Sequence, residues 1–269
     1  MTNLEKIARE IRILTVKCIA SLGSGHIGGS MSIVDVLTAL YYKEMNVDPK
    51  NPLMEGRDRL VVSKGHAGPA VYATLAHKGY FPESELYTLN KYGTNLPSHC
   101  DMNKTPGVDM TTGSLGQGIS CALGLALGSK IKNDNATIYA IIGDGESQEG
   151  QVWEAAMTSS HYKLDNLCVI VDNNNLQIDG EVKDVMSPYP IDEKFEKFGF
   201  HTINIDGHNF EEIVNAFEQA KLIKEKPTVI IAKTIKGKGV SYMENQAGWH
   251  GVAPNDEQCA IALEELKGE

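Results

Sequence analysis

Leu4, Ile7, Ala8, Ile11, Leu14 and Cys18 recur every three or four positions, which predicts an amphipathic helix that opens the chain and ends near Ser21. A glycine-rich turn follows. Ser32 with Asp35 has the form of a capping box ahead of Ile33, Val36, Leu37, Leu40 and Tyr41, so a second helix is expected, closed off by Pro49 and Pro52. From Arg59 onward the period changes. Leu60 to Ser63, Thr137 to Ile142, Leu167 to Val171, Thr202 to Ile205 and Thr228 to Ala232 read as strands, with helical stretches between them. Runs such as Ile138 to Ile142 are apolar on both sides, which suits strands covered on both faces. Strand and helix alternation of this kind marks an α/β fold with a mostly parallel sheet covered by helices on both faces. A closing helix is expected over Asp256 to Lys267, followed by a polar tail that would end the polypeptide.

At 269 residues and 42% hydrophobic content the chain can build one continuous core, and residues 1–269 are read as a single domain. The formal net charge of -10 argues against nucleic acid and anionic membrane as partners, so a phosphate-bearing ligand must be captured by local groups. Cys18, Cys100, Cys121, Cys168 and Cys259 are odd in number and form no C-x-x-C pair, which reads as reduced thiols in a cytoplasmic protein. Charges within Met1 to Arg12 break up any signal-peptide centre. Met110 to Ser129 is uncharged and about as long as a membrane span, yet its glycines, threonines and serines fit a soluble loop running into a buried helix.

In open α/β sheets, ligands bind beyond the carboxyl ends of the strands. Two strands end on suggestive residues: one runs into Gly143-Asp144-Gly145 and another into Asp172-Asn173-Asn174-Asn175. If those strands are neighbours, Asp144 and Asn174 offer a carboxylate and an amide oxygen to one point. That suits Mg²⁺, which wants oxygen ligands and takes the rest of its shell from phosphate and water. Gly145 would allow backbone N–H groups to approach a phosphate, and a helix starting near Glu149 would aim its positive end at the same place. Each piece alone is an ordinary loop. The two together, thirty residues apart, form the G-D-G…N pattern of thiamine-diphosphate sites.

Seven stretches in order resemble the N-terminal domain of transketolases: Ser24-Gly25-His26, Ser63-Lys64-Gly65-His66, His99, Gly113 to Gly118, Gly143-Asp144-Gly145 with Glu149 and Glu154, Asn174 to Gly180, and Lys236 through Trp249-His250-Gly251. The resemblance implies the diphosphate-binding fold of thiamine-diphosphate enzymes. It implies that Asp144, Asn174 and the carbonyl of Leu176 ligate Mg²⁺, for which Ca²⁺ or Mn²⁺ could substitute. His66, Gly113, Ser114, Leu115, Gly145, Glu149, Asn174, Lys236 and His250 would hold the cofactor, Leu115 by apolar support of a ring. His26, His99 and His250 would carry protons to and from sugar hydroxyls, work that an imidazole titrating near neutrality can do. Glu149 and Glu154 would lie near a neighbouring subunit. His77, His161, His201 and His208 match none of these positions and read as structural or surface residues.

Ile27 stands where many transketolases have proline, and Cys100-Asp101 follows His99 where Pro-Glu is frequent, which leaves the sugar preference open. The resemblance covers only the part of a transketolase that precedes its pyrimidine-binding domain. It therefore implies a C-terminal partner subunit, an α₂β₂ heterotetramer, and transfer of a two-carbon ketol unit from a ketose phosphate to an aldose phosphate, as in the pentose phosphate pathway. The alternatives are the corresponding subunit of a 2-oxo acid dehydrogenase, a deoxyxylulose-phosphate synthase, or a catalytically idle homologue.

Overall fold

The computed structural model describes residues 2–268. Helix α1 spans Asn3–Leu22, one residue beyond its expected end. Its start is a capping box that the apolar pattern did not reveal: Thr2 Oγ1 accepts from the Glu5 backbone N–H, and Glu5 reaches back to the Thr2 N–H. Two short helices follow, α2 (Ile27–Met31) and α3 (Val34–Ala39), the latter prolonged by a π-helical turn over Leu40–Glu44. The expected capping box at Ser32 and Asp35 does not form. Ile33 occupies the N-cap of α3, while the Ser32 hydroxyl donates to Asp172 Oδ2 at 2.7 Å and Asp35 pairs with Arg12. Both side chains are buried, so partners across the fold displaced the local cap.

Five strands, β1 (Arg59–Val62), β2 (Ile138–Gly143), β3 (Leu167–Asn173), β6 (His201–Asp206) and β7 (Thr228–Lys233), make one parallel sheet in the order β1-β2-β3-β7-β6. All five were expected, each within two residues of its observed ends. A small antiparallel ribbon, β4 (Leu176–Gln177) with β5 (Gly180–Glu181), leaves the end of β3.

Alternation along each strand divides the apolar residues between two cores, which is why the strands read as unbroken hydrophobic runs. Leu60, Val62, Tyr139, Ile141, Cys168, Ile170 and Ile230 face α1, α3, α4 (Gly68–Lys78) and α9 (Phe210–Leu222). Val61, Ile138, Ala140, Ile142, Val169, Val171 and Val229 face α5 (Gln117–Lys132), α6 (Gly150–His161) and α8 (Ile191–Lys197). Helix α7 (Val182–Met186) follows the ribbon, and α10 (Asp256–Gly268) packs on α1. Each such aliphatic side chain contributes about 1.5–3 kcal/mol by leaving water. That is what holds the strand ends rigidly enough to aim polar groups. The uncharged stretch from Met110 is a loop running into α5, with Ile119, Ala122 and Ala126 buried. Among the described residues no helix is long and apolar enough to cross a membrane.

Candidate active site

The register sets Gly143 opposite Asp172, so β2 and β3 are neighbours and end together at the carboxyl edge of the sheet. Asp144 is the next residue along, and its buried carboxylate accepts from the Gly145 N–H at 2.8 Å and from the Asn175 N–H at 2.5 Å. The β2 turn is thereby tied to the β3 loop. Asn174 Nδ2 donates to Asp172 Oδ2 at 3.0 Å. A carboxylate only accepts, so this bond fixes the amide nitrogen on the Asp172 side and turns the amide oxygen the other way, where it accepts from the Leu176 N–H at 3.1 Å. Lys236 Nζ lies 3.4 Å from the Leu176 carbonyl oxygen.

Asp144, Asn174 and Leu176 all line one cavity of about 310 Å³ at the carboxyl ends of β2 and β3. Among the described residues no three His, Cys, Asp or Glu side chains cluster as metal ligands. The donors here are instead one carboxylate, one amide oxygen and one main-chain carbonyl, an all-oxygen set suited to a hard divalent cation and poorly suited to zinc. Burial, followed by the negative charge of Asp172, raises Asp144 to about 6. A cation at this point would relieve both effects.

Behind these residues lies a buried polar layer that the sequence pattern does not announce. Lys64 pairs with Asp172 at 2.5 Å and donates to the Gly29 carbonyl at 2.9 Å. Asp172 also accepts from Ser32, Thr234 and Asn174. Burial alone would raise its pKa, but Lys64 and the hydroxyl donors bring it below the usual carboxylate range. Glu146 accepts from Ser63 and from the N–H groups of Gly116, at 2.8 Å, and Gly143, at 3.0 Å, so a single carboxylate joins three loops. Burial raises its pKa against those bonds. Charged residues just past apolar runs, Lys64 two residues after β1 and Asp172 near the end of β3, were the available signal.

Four imidazoles converge on the same cavity. His26 lies 5.2 Å from His66, 5.8 Å from His99 and 5.6 Å from His250, ring centre to ring centre, and His66 lies 5.1 Å from His250. Burial and then the Lys64 charge hold His66 well below its ordinary value. Burial, His99 and Lys236 lower His26, and burial and Lys236 push His250 down to about 3. Lys236, itself brought down to about 8 by burial and by Lys64, sits 2.9 Å from His250 Nδ1. The ammonium can only donate, which makes Nδ1 the acceptor and leaves the proton on Nε2.

Gly113 and Leu115 also line the cavity, the latter 39% exposed. Gly116 at φ +82 starts α5, and a Cβ there would come within 2.7 Å of Glu149 Cβ, so only glycine fits the approach. Ser114 belongs to the same turn but stands off the cavity wall, and its carbonyl accepts from Gln117 N–H. Gly145 departs from expectation in one respect: its N–H is taken by Asp144, and a 3₁₀ turn over Gly145–Gln148 precedes α6. Glu149, exposed at the N-cap of α6, still reaches the cavity rim, and Glu154 is exposed one turn further on.

A family model described as transketolase, thiamine diphosphate binding domain, matches residues 4–267. The chain belongs to the transketolase family. It is 52% identical over 267 residues to a 6-deoxy-6-sulfo-D-fructose transketolase subunit of Clostridium sp. (strain MSTE9), covering 99% of this chain and 97% of that one. To an apulose-4-phosphate transketolase subunit of Actinobacillus succinogenes it is 42% identical, covering 99% and 97%. The solved transketolase from Leishmania mexicana superposes with a TM-score of 0.94 at 31% identity, over 99% of this chain and 42% of that chain. The chain therefore spans less than half the length of that solved transketolase. Ketol transfer is the reaction of the transketolase family, and this chain is its thiamine-diphosphate-binding domain. Membership separates the chain from the dehydrogenase and deoxyxylulose-phosphate synthase alternatives.

Proposed function

We propose that this chain acts as one diphosphate-binding domain which, with a C-terminal partner subunit in an α₂β₂ heterotetramer, transfers a two-carbon ketol unit from a ketose phosphate to an aldose phosphate in the cytoplasm. The observation that carries the proposal is the convergence of an all-oxygen donor set and four imidazoles on one cavity. Asp144, Asn174 and the Leu176 carbonyl would hold Mg²⁺, and the ion would anchor a diphosphate. His66, depressed far enough to be neutral at pH 7, would donate one N–H to a phosphate oxygen. The backbone of Gly113 and Ser114, with Gly145, would make room for the same group, Leu115 would support a ring, and Glu149 would face the partner at the rim.

When bound, thiamine diphosphate supplies the nucleophilic carbon and the electron sink that a sugar carbonyl needs. The protein's part is proton traffic. His26 and His99 would take protons from sugar hydroxyls at a free ring nitrogen and return them from the protonated ring, while His250, with Nδ1 accepting from Lys236, would donate its Nε2–H to a sugar oxygen. Lys236 would keep His250 in the tautomer with Nε2 protonated.

The 52% identity to the Clostridium chain favours 6-deoxy-6-sulfo-D-fructose as a donor alongside ordinary ketose phosphates of the pentose phosphate pathway. The test mixes the purified chain with its partner subunit and offers xylulose 5-phosphate, 6-deoxy-6-sulfo-D-fructose, apulose 4-phosphate or pyruvate as donor, with an aldose phosphate as acceptor. The expected result is ketol transfer that requires both chains, Mg²⁺ and thiamine diphosphate. Full transfer by the chain alone, or turnover of pyruvate in preference to the sugars, would defeat the proposal. Failure of every donor with cofactor bound would favour an idle homologue.

A further inference from the structure

Asp35 sits between α1 and the strand-end loops. Arg12 Nη1 and Nη2 donate to its two oxygens at 3.0 and 2.5 Å, and both side chains are buried. Asp35 Oδ2 also accepts from His208 Nδ1 at 2.6 Å. The other ring nitrogen of His208, Nε2, lies 2.8 Å from the backbone N of Ile235. An amide N–H only donates, so Nε2 is the unprotonated nitrogen and the proton is on Nδ1; the tautomer is set from both sides.

His208 follows β6 and Ile235 follows β7, so the imidazole bridges two loops at the carboxyl edge of the sheet. Ile235 immediately precedes Lys236, whose buried side chain ends 2.9 Å from His250 Nδ1 and 3.4 Å from the Leu176 carbonyl. The loop is held on either side as well, by the Thr234 hydroxyl on Asp172 and by the Gly237 N–H on the Gly28 carbonyl at 3.0 Å. Between those two ties, His208 Nε2 is the acceptor for the Ile235 N–H.

We propose that His208 is a positioning residue of the active site: through the Ile235 amide it fixes the backbone from which Lys236 reaches the cavity. The inference rests on the reading of that cavity as the Mg²⁺–thiamine diphosphate site. The sequence placed His208 among the structural or surface histidines, and the proposal gives that structural role a direction, toward the cavity. Arg12 and Asp35 hold the ring in place, and the ring holds the loop. A displacement of the Ile235 backbone by a fraction of an ångström carries directly to the lysine.

Two isosteres separate the two ring nitrogens. In His208→Asn the amide can still donate to Asp35, but the Ile235 N–H loses its acceptor. In His208→Gln the longer side chain can place an oxygen near the former Nε2. Each is made alone and together with Lys236→Met, mixed with the partner subunit, and titrated calorimetrically with Mg²⁺–thiamine diphosphate; thermal unfolding reports folding. His208→Asn should weaken binding about 10-fold, in the range seen for partners behind a ligand shell. His208→Gln should stay within about 3-fold of wild type, and in the Lys236→Met background His208→Asn should add less than about 2-fold, since the two residues then share one effect. Equal losses for Asn and Gln, no loss for either, or an undiminished loss in the Lys236→Met background would overturn the inference while leaving the cofactor site intact. Failure of the wild-type mixture to bind Mg²⁺–thiamine diphosphate would overturn both.

Discussion

The two ends of the sheet make an instructive pair. At the amino ends of β2, β3 and β7 lies a hollow of about 530 Å³, larger than the 310 Å³ cavity at the carboxyl ends. Its lysines are locally occupied: Lys130 pairs with Asp165 at 2.7 Å, Lys221 pairs with Glu44 at 2.7 Å, and Lys224 donates to the Lys221 carbonyl. Lys130 and Asp165 are both partly exposed, and such a pair contributes little. At the carboxyl end the charges are buried, drawn from separate elements, and shifted in pKa by burial and by one another. The contrast teaches that function is marked by polar groups held under electrostatic tension in a cleft, and hollow size does not mark it.

Breaking the buried layer should have the largest effect. Asp172→Ala leaves Lys64 charged and without its carboxylate, and frees the Asn174 amide; urea unfolding should show a loss of about 3–5 kcal/mol. Next, Asp144→Ala removes the carboxylate of the proposed metal site while leaving Lys64 and Asp172 paired. Calorimetry should show Mg²⁺-dependent thiamine diphosphate binding weakened by more than about 100-fold, beyond the range for outer partners, with the fold retained.

Most of the framework behind these expectations could be read from the sequence. The strands were legible because their buried faces force β-branched and apolar runs such as Val169-Ile170-Val171, and Asp144 and Asn174 stood out as polar residues just past such runs, where ligands bind in α/β sheets. What escaped was everything set by long-range pairing. Ser32 looks like a helix cap in sequence but finds Asp172, 140 residues away. Glu146 follows the Gly143-Asp144-Gly145 turn with nothing in the sequence to single it out, yet its carboxylate joins three segments from beneath. His208 sits in a loop with nothing local to distinguish it. Hydrogen bonds between distant strand-end loops leave no periodic trace, so the layer that positions the site was less visible than the groups that face the ligand.

A smaller and sharper test uses pH. Lys236 is held down to about 8, and an anionic ligand favours its protonated form. Affinity for thiamine diphosphate should therefore hold steady between about pH 7 and 8, above the range in which Asp144 titrates, and fall beyond it by at most about 10-fold per unit for one linked proton. Lys236→Met should bind more weakly at neutral pH and lack the fall above about 8. A fall in affinity with the same midpoint in that variant would assign the titration to another group. Smallest of all, Lys224→Ala at the opposite end, which removes only an exposed bond to the Lys221 carbonyl, should cost less than about 1 kcal/mol in unfolding and leave cofactor affinity unchanged within error. A large loss of affinity there would erase the distinction between the two ends.

The assignment of Asp144, Asn174 and Leu176 to a metal depends on where a divalent ion goes. A crystal of the chain with its partner, thiamine diphosphate and Mn²⁺ in place of Mg²⁺, measured at the manganese absorption edge, would locate it. If these three oxygens hold the ion, an anomalous peak is expected within about 2.2 Å of an Asp144 carboxylate oxygen, Asn174 Oδ1 and the Leu176 carbonyl oxygen. A peak elsewhere, or a diphosphate bound with no ion between it and Asp144, would contradict that assignment.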